Sequence, residues 1–294
     1  MIVISKIIGG LGNQLFQYAS SLALAKSMNA DLFLDLSSFY NRKYNNPEGF
    51  LLKRLFDINL PSPGIFEYYK VLGLASCFFR IRSKINFSTM TDNYLSQVNY
   101  IDLEKKFFNF KNNNCYLEGY WQSEEYFKNT KETLLKDLVF KKNEISNKSV
   151  KLAKKLQDEN SVSIHVRRKD YITNEVYKKI YKELSENYYK SAIQEMSLRI
   201  KEPKFYIFSD DIEWARKQKY FKNLNIVYNH ESIGSWEDMF LMSSCKNNII
   251  ANSSYSWWGA WLNKNPNKII IAPKKWFNGS KQPKYLLPRE WLKL

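Results

Sequence analysis

From residue 161 to residue 273 short apolar runs alternate with helical stretches, and this rhythm limits the fold more than any other feature of the 294-residue chain. The runs are "VSIHVR" (162–167), "KFYIFS" (204–209), "NIVY" (225–228), "NIIAN" (248–252) and "KIIIAP" (268–273). Helical patterns fall between them, near 185–200 and in "DIEWARKQ", "SWEDMFLMSSC" and "SYSWWGAWLN". Strands that alternate with helices predict a parallel sheet covered on both faces. In the first run Val162, Ile164 and Val166 alternate with Ser163, His165 and Arg167, which is the period of two of a strand. That run ends in "RRKDY". Successive side chains on a strand point to opposite faces, so Arg167 and Arg168 cannot act side by side. One is expected to meet a ligand and the other to be held within the protein.

The amino-terminal part is a second α/β unit. Residues 2–8 form an apolar strand candidate, followed by "GGLGNQ" (9–14), a periodic apolar segment over about 15–28, and "DLFLDL" (31–36). Residues 40 to about 150 are aromatic and charged, with helical stretches and no repeat. The polar, lysine-rich stretch "FKKNEISNKSVKLAKKLQDENS" (140–161) marks a boundary. The expectation is an α/β chain of two Rossmann-like domains, 1–150 and 151–294, facing across a cleft, with the last helix packing back on the first domain. The length suits two medium-sized cores.

Composition removes several classes. Hydrophobic residues at 44% and aromatic residues at 16% exclude a disordered chain. No apolar run approaches the ~20 residues that span a bilayer. The start, "MIVISKIIGG", lacks the basic region and cleavage site of a secretory signal, so a cytoplasmic location is expected. Cys77, Cys115 and Cys245 lie far apart and the chain has two histidines, which argues against a zinc site or a disulfide framework. Buried free thiols in a reducing compartment are expected instead. The net charge of +16 predicts an anionic partner: nucleic acid, an acidic membrane or a phosphorylated substrate. The lysines are scattered and no basic block accompanies a reading module, so nucleic acid is set aside.

In open α/β sheets ligands bind beyond the carboxyl ends of the strands. In the second half those ends carry His165, Arg167, Arg168 and Asp170; Ser209, Asp210 and Asp211; and Asn252, Ser253 and Ser254. They are expected to converge on one crevice. Guanidinium groups offer a diphosphate planar, multidentate donors. The Asn-Ser-Ser turn precedes a helix, whose first backbone N–H groups favour an anion. A carboxylate suits the paired N–H donors of guanine. The set fits a nucleotide with a leaving diphosphate. The glycine spacing at 9–14 is not a dinucleotide fingerprint, because Leu15 occupies the last glycine position. "SDD" (209–211) reads as a helix cap as readily as a metal site, and "SWWGAWL" (256–262) reads as core packing rather than sugar stacking.

"GGLGNQLFQYA" (9–19), "HVRRKDY" (165–171), "FYIFSDDIEW" (205–214) and "WEDMFLMSSCKNNIIANSSYSWWGAWL" (236–262) together resemble bacterial α-1,2-fucosyltransferases of glycosyltransferase family 11. The resemblance implies a GT-B-like fold, GDP-β-L-fucose as donor, inversion at the fucose carbon, and no metal or other cofactor. It also implies that fucose goes to the 2-hydroxyl of a terminal β-galactoside in an oligosaccharide such as an O-antigen or capsule. Carried over by position, Arg167 binds the diphosphate, His165 lies near the guanosine and Asp238 reads guanine. Ser253, Ser254 and Ser256 then contact phosphate. Gly10, Gly12, Asn13 and Gln14 belong to a glycine-rich loop facing the cleft from the other domain. Arg167, Asp170 and Asn13 are the catalytic candidates; the base is left open between Asp170, Glu175 and another group. A transferase of another nucleotide sugar is one alternative. A basic peripheral-membrane protein is a second, since "IFEYYKVLGLASCFFRIRSKI" (65–85) could lie as an amphipathic helix on anionic lipid at the inner membrane face, against the reading of a buried helix.

Overall fold

The computed structural model describes residues 1–40, 48–74, 76, 91–97, 100–227 and 234–294. Two compact units emerge, 1–139 with 284–286, and 140–283 with 287–294.

The first unit is a parallel sheet of β1 (Ile2–Lys6), β2 (Asp31–Asp35), β3 (Tyr94–Ser96) and β4 (Asn114–Glu118), in the order β2-β1-β4-β3. Every residue of β1 is buried, as a central parallel strand requires. Ile2, Ile4 and Tyr116 share one face and pack against Val71 and Leu72 of the helix Ile65–Leu72. The glycine turn feeds the helix Leu11–Met28, which packs on β1 and runs on to β2. Strand β4 pairs with β1 although more than a hundred residues separate them, Ile2 opposite Asn114.

The second unit holds β5 (Ser161–Val166), β6 (Lys204–Ser209), β7 (Asn225–Ile226), β8 (Asn247–Ile249), β9 (Ile270–Ala272) and β10 (Leu292–Lys293). Their order is β10-β9-β8-β5-β6-β7, all parallel. The chain builds outward from β5 in one direction, then returns and builds outward in the other. This is the doubly wound order, and it reverses between β5 and β8. Val162, Ile164 and Val166 join Ile207, Ile249 and Ile271 on one face, beneath Tyr189, Ala192 and Met196 of the helix Glu186–Arg199. The opposite face brings Tyr206 and Phe208 against Leu156, Leu241 and Met242. Each such side chain contributes roughly 1.5–3 kcal/mol by leaving water.

The division falls at 139/140 and not at 150. Phe140 packs edge-on against Phe240 at 5.7 Å, the Trp236 indole donates to the Glu144 carbonyl at 2.8 Å, and the Ser146 hydroxyl donates to Glu237 at 2.7 Å. Residues 140–150 are thereby tied to the second core, and the helix Asn147–Asp158 opens that unit under its Ser146 cap. The chain's last helix, Ser254–Trp261, also stays in the second unit. The segment that returns to the first unit is 284–286, where Lys284 N–H donates to the Ile101 carbonyl at 2.9 Å and the Tyr285 carbonyl accepts from Ser123 at 2.7 Å. Trp257 and Trp258 are fully buried, as core packing requires. Cys115 and Cys245 are buried free thiols, both pushed up in pKa by burial; Cys77 lies outside the described residues. Of the 65–85 stretch, the helix Ile65–Leu72 turns Val71 and Leu72 inward and leaves Ile65, Phe66 and Tyr69 exposed. Residues 77–90 lie outside the described residues. Among the described residues no helix is long and apolar enough to cross a membrane.

Candidate functional site

The carboxyl end of β5 places its charged groups by strand parity and by one aspartate. Val162, Ile164 and Val166 face the Tyr189 side, so His165 has the opposite parity and points to the other face. It is buried, with its ring 5.8 Å from that of Tyr255. Burial, reinforced by Arg167, lowers its pKa to about 3. The imidazole is therefore neutral near pH 7 and is not a cation for phosphate. Its buried Nδ1 meets no hydrogen-bond partner among the described residues.

Beyond Val166 the chain is held by Asp210, from the end of the neighbouring strand β6. One carboxylate oxygen accepts from Arg168 N–H at 2.9 Å, and the other from Lys169 N–H at 3.2 Å. Arg167 reaches the same carboxylate at 3.2 Å and pairs with Asp170 one helical turn on. Burial raises the Asp210 pKa against the opposing pull of Arg167 and of the two backbone donors. Arg168 takes the other direction. Its guanidinium stacks 4.7 Å over the Trp214 ring and lies 3.4 Å from Glu183 and 3.8 Å from Asp211. A cation over an indole, flanked by two carboxylates, is a structural anchor. Arg167 is the more exposed of the two, with its side chain 32% accessible against 20%.

Asp211 caps the helix Ile212–Lys217 by accepting from Trp214 N–H at 3.1 Å, and Ser209 accepts from Asp211 N–H at 3.0 Å. "SDD" is therefore occupied by turn, cap and arginine contacts. On the other side of the reversal point, Ser253 caps the helix Ser254–Trp261 and Ser254 is half-buried in its first turn. Asp238 stands in the first turn of the helix Trp236–Ser244. Burial, with Glu237 beside it, pushes its pKa up to about 7. Glu237, by contrast, is spent on Ser146, accepting from its N–H and its hydroxyl.

Two tyrosines join these pieces. Tyr171 OH donates to the Asn252 carbonyl at 2.8 Å, tying the β5 loop to the β8 loop. Tyr255 OH accepts from Met239 N–H at 2.8 Å and donates to the Ser235 carbonyl, which fixes the Asp238 turn beside the ring that faces His165. Both lie inside motifs noted in the sequence, as the final residue of "HVRRKDY" and the second of "SYSWWGAWLN". The sequence singles out neither, because their partners are backbone atoms of distant segments.

Several expected contacts are otherwise employed. Gln14 is fully buried; its amide donates to the Gly9 and Gly49 carbonyls and accepts from Leu51 N–H, each at 2.9 Å. It staples the 49–51 segment to the glycine turn and has nothing left for a ligand. Ser256 is also fully buried and turns its hydroxyl to the Ala251 and Ser253 carbonyls at 3.2 and 3.3 Å, as helical serines do. The Asn252 amide donates to the Lys182 and Trp276 carbonyls at 2.7 and 2.8 Å, so its role is to hold the β8 loop. Gly12 is buried within the helix Leu11–Met28, whereas Gly10 is exposed at its start. Gly9 has φ +79°, and an added Cβ would lie 2.9 Å from the Asn13 amide, so that position needs glycine. Asn13 is half-buried and accepts from Gln122 at 2.8 Å. Glu175, in the helix Glu175–Ile180, is well exposed and lies 3.8 Å from Lys178.

The second unit thus combines one accessible arginine, a helix start, a neutral histidine and a carboxyl of raised pKa around a reversal of strand order. The sequence model of glycosyl transferase family 11 matches residues 76–293. An α-1,2-colitosyltransferase of Escherichia coli is 33% identical over 296 residues, covering 100% of this chain and 99% of its own. The O-antigen biosynthesis glycosyltransferase WbnK, also of Escherichia coli, is 34% identical over 306 residues and covers 99% of each chain. Among solved structures, POFUT1 in complex with GDP-fucose is 13% identical over 92% of this chain and 97% of its own, with a TM-score of 0.50. At that identity the likeness is one of fold, a GT-B-like α/β architecture with parallel sheets.

Proposed function

The chain belongs to glycosyl transferase family 11, and from that premise we propose that it transfers L-fucose from GDP-β-L-fucose to the 2-hydroxyl of a terminal β-galactoside. The observation that carries the donor half is that Arg167 and the helix start at Ser254 follow the carboxyl ends of the adjacent strands β5 and β8, where the strand order reverses. The acceptor hydroxyl oxygen attacks the anomeric carbon as the bond from that carbon to the diphosphate oxygen breaks. The configuration inverts, GDP departs, and the hydroxyl proton passes to a base. Arg167 exchanges a carboxylate partner for the diphosphate and meets the charge that develops on the leaving oxygen. Fixed donors of this kind are commonly worth ~3–4 kcal/mol in the barrier. Asp170, on the same guanidinium, orients it. Asp238, when ionised, accepts the two N–H groups of guanine, with the neutral His165 and Tyr255 rings beside the nucleoside. No metal is required in this scheme.

Incubation with GDP-fucose and a panel of galactosides, followed by NMR identification of the new glycosidic bond, tests the reading. An α-1,2 linkage is expected; transfer from a UDP-sugar alone would overturn it. A colitosyl group in place of fucosyl is the second reading, because a full-length relative bears that name; competition between the two donors separates them. Contact with an anionic membrane is a further part of the proposal, supported by the +16 charge and by the exposed Ile65, Phe66 and Tyr69. Flotation with acidic liposomes at low salt checks it.

A further inference from the structure

The first sheet also breaks sequence order, between β1 and β4, and its face changes character at that place. Along the β2-β1-β4-β3 order one row reads Phe33, Ile4, Tyr116, Tyr94 and is covered by the helix Ile65–Leu72. The next row of that parity, at the carboxyl ends, reads Asp35, Lys6, Glu118, Ser96. The change is not the ordinary meeting of a sheet end with water. Asp35 is 1% exposed and the Lys6 side chain 7%. Lys6 pairs with one oxygen of Glu118, and Tyr94 OH donates to the other. The Glu118 side chain is 27% exposed, so one side of this ionic pair opens outward. Buried ion pairs recover their desolvation cost poorly, and stability alone is a weak reason to keep one here.

The loop after Glu118 adopts a costly conformation. Trp121 has φ +53°, a strained value for so large a residue, and it is buried against Phe107 and Tyr126 at 5.3 and 5.4 Å. Gly119 has φ +157°, and an added Cβ would lie 2.5 Å from the Gln97 side chain. Gln97 accepts from both Tyr120 N–H and Trp121 N–H, at 3.0 and 2.7 Å. The turn drives Trp121 inward and sets the half-buried Tyr120 6.2 Å from Tyr100, which is 50% exposed. Burial beside Glu118 raises the Tyr100 pKa, which places that phenol within the field of the carboxylate. On the other flank Gln122 donates to Asn13, joining this loop to the glycine turn after β1.

We infer that this edge is a subsite for a neutral sugar, in which a hexose packs on Tyr100 and Tyr120 and its hydroxyls donate to Glu118. The inference rests on the transferase reading above, and the sugar is the acceptor. The chemistry selects the ligand class. Lys6 already cancels the Glu118 charge. The second carboxylate of the row, Asp35, is enclosed and accepts from Tyr116 OH and Ser37 N–H, so the part of the row that opens outward is close to neutral and favours neither an anion nor a cation. An ionised carboxylate has about four lone-pair directions. Two are taken by Lys6 and Tyr94, leaving acceptors for vicinal hydroxyls. Aromatic rings supply flat apolar area for the C–H face of a hexose.

Tyr100→Ala and Tyr120→Ala act at the rim of the row and spare the core. With saturating GDP-fucose each is expected to raise the acceptor KM about tenfold, the size of one good aromatic contact. GDP affinity by calorimetry stays within about twofold of the wild type, and Glu118→Gln raises the acceptor KM with the same donor selectivity. Unchanged acceptor KM in both tyrosine variants, or an equal loss of GDP affinity, overturns the subsite. Saturation-transfer NMR with lactose needs no donor. Galactose signals with the wild type that vanish in Tyr120→Ala support the subsite even if GDP-fucose proves to be the wrong donor. Signals that are equal in both proteins count against it.

Discussion

The carboxyl edges of the two sheets make an instructive pair. Both are parallel and both have a break in strand order, yet their charge is mounted differently. In the second unit Arg167, Arg168, Asp210 and Asp211 lie past the last residues of their strands, and Arg167 keeps a third of its side-chain surface accessible. In the first unit Lys6, Asp35 and Glu118 are themselves strand residues, and two of the three are almost wholly enclosed. A loop-mounted arginine can exchange its carboxylates for a highly charged ligand. A strand-mounted ion pair cannot move and presents a fixed, nearly neutral surface. The difference suits the ionic donor proposed for the second unit and the uncharged acceptor proposed for the first.

The contrast can be broken most directly at Arg167. Arg167→Ala is expected to lower kcat by about 10²–10³-fold with the circular dichroism spectrum unchanged. Near-normal turnover would remove the loop-mounted arginine from the chemistry. Asp238 provides the next test. Its pKa of about 7 means that the folded protein retains a proton which the unfolded chain, with an ordinary carboxyl, gives up at lower pH. On the proposed reading, the carboxylate accepts from guanine only as the pH rises through 7. GDP should therefore bind more tightly with rising pH, about tenfold per unit below the pKa. Asp238→Asn supplies the baseline, since GDP titrates too; a parallel slope in both proteins would exclude Asp238 as the reader. By linkage the same group makes the free protein less stable as pH rises from about 4 to 7, because the unfolded chain then holds fewer protons.

Gln14→Leu sharpens the comparison from the first unit. It strands the Leu51 N–H and two carbonyls, and a loss of about 2–3 kcal/mol in urea unfolding is expected with GDP affinity unaffected. A selective loss of GDP binding would return Gln14 to the ligand. Ser256→Ala should do least. Its hydroxyl donates only into its own helix and the preceding strand end, so activity is expected within about twofold of wild type.

What is legible in the sequence follows from the same physics. The second unit's inner strands β5, β8 and β9, and most of β6, are buried on both faces, so they print as apolar runs, and the helices between them print as a different period. The rule that ligands gather at strand ends then leads to Arg167, Asp210 and the Ser253 turn. In the first unit β3 is three residues long, and β4 finds its partner across more than a hundred residues. Such pairing leaves no local trace, and the Glu118 edge is silent although "LEGYWQ" (117–122) lies in plain view. The residues that depart from expectation share a cause. Gln14, Asn252 and Ser256 are polar residues beside turns, the type that meets ligands. Whether an amide faces a ligand or a distant carbonyl is decided by where Gly49, Lys182 and Trp276 arrive in the fold. Arg167 and Arg168 diverge as strand parity requires, and the structure adds that Trp214 is what receives the second.

Asp210 extends the β5/β6 ladder by a side-chain rung after the main-chain rungs have ended. For anyone wishing to exchange donor preference between relatives, this makes 165–171 and 209–214 a single cassette. Transplanting the first segment without the second would deliver the arginine on a tether cut loose from its neighbour.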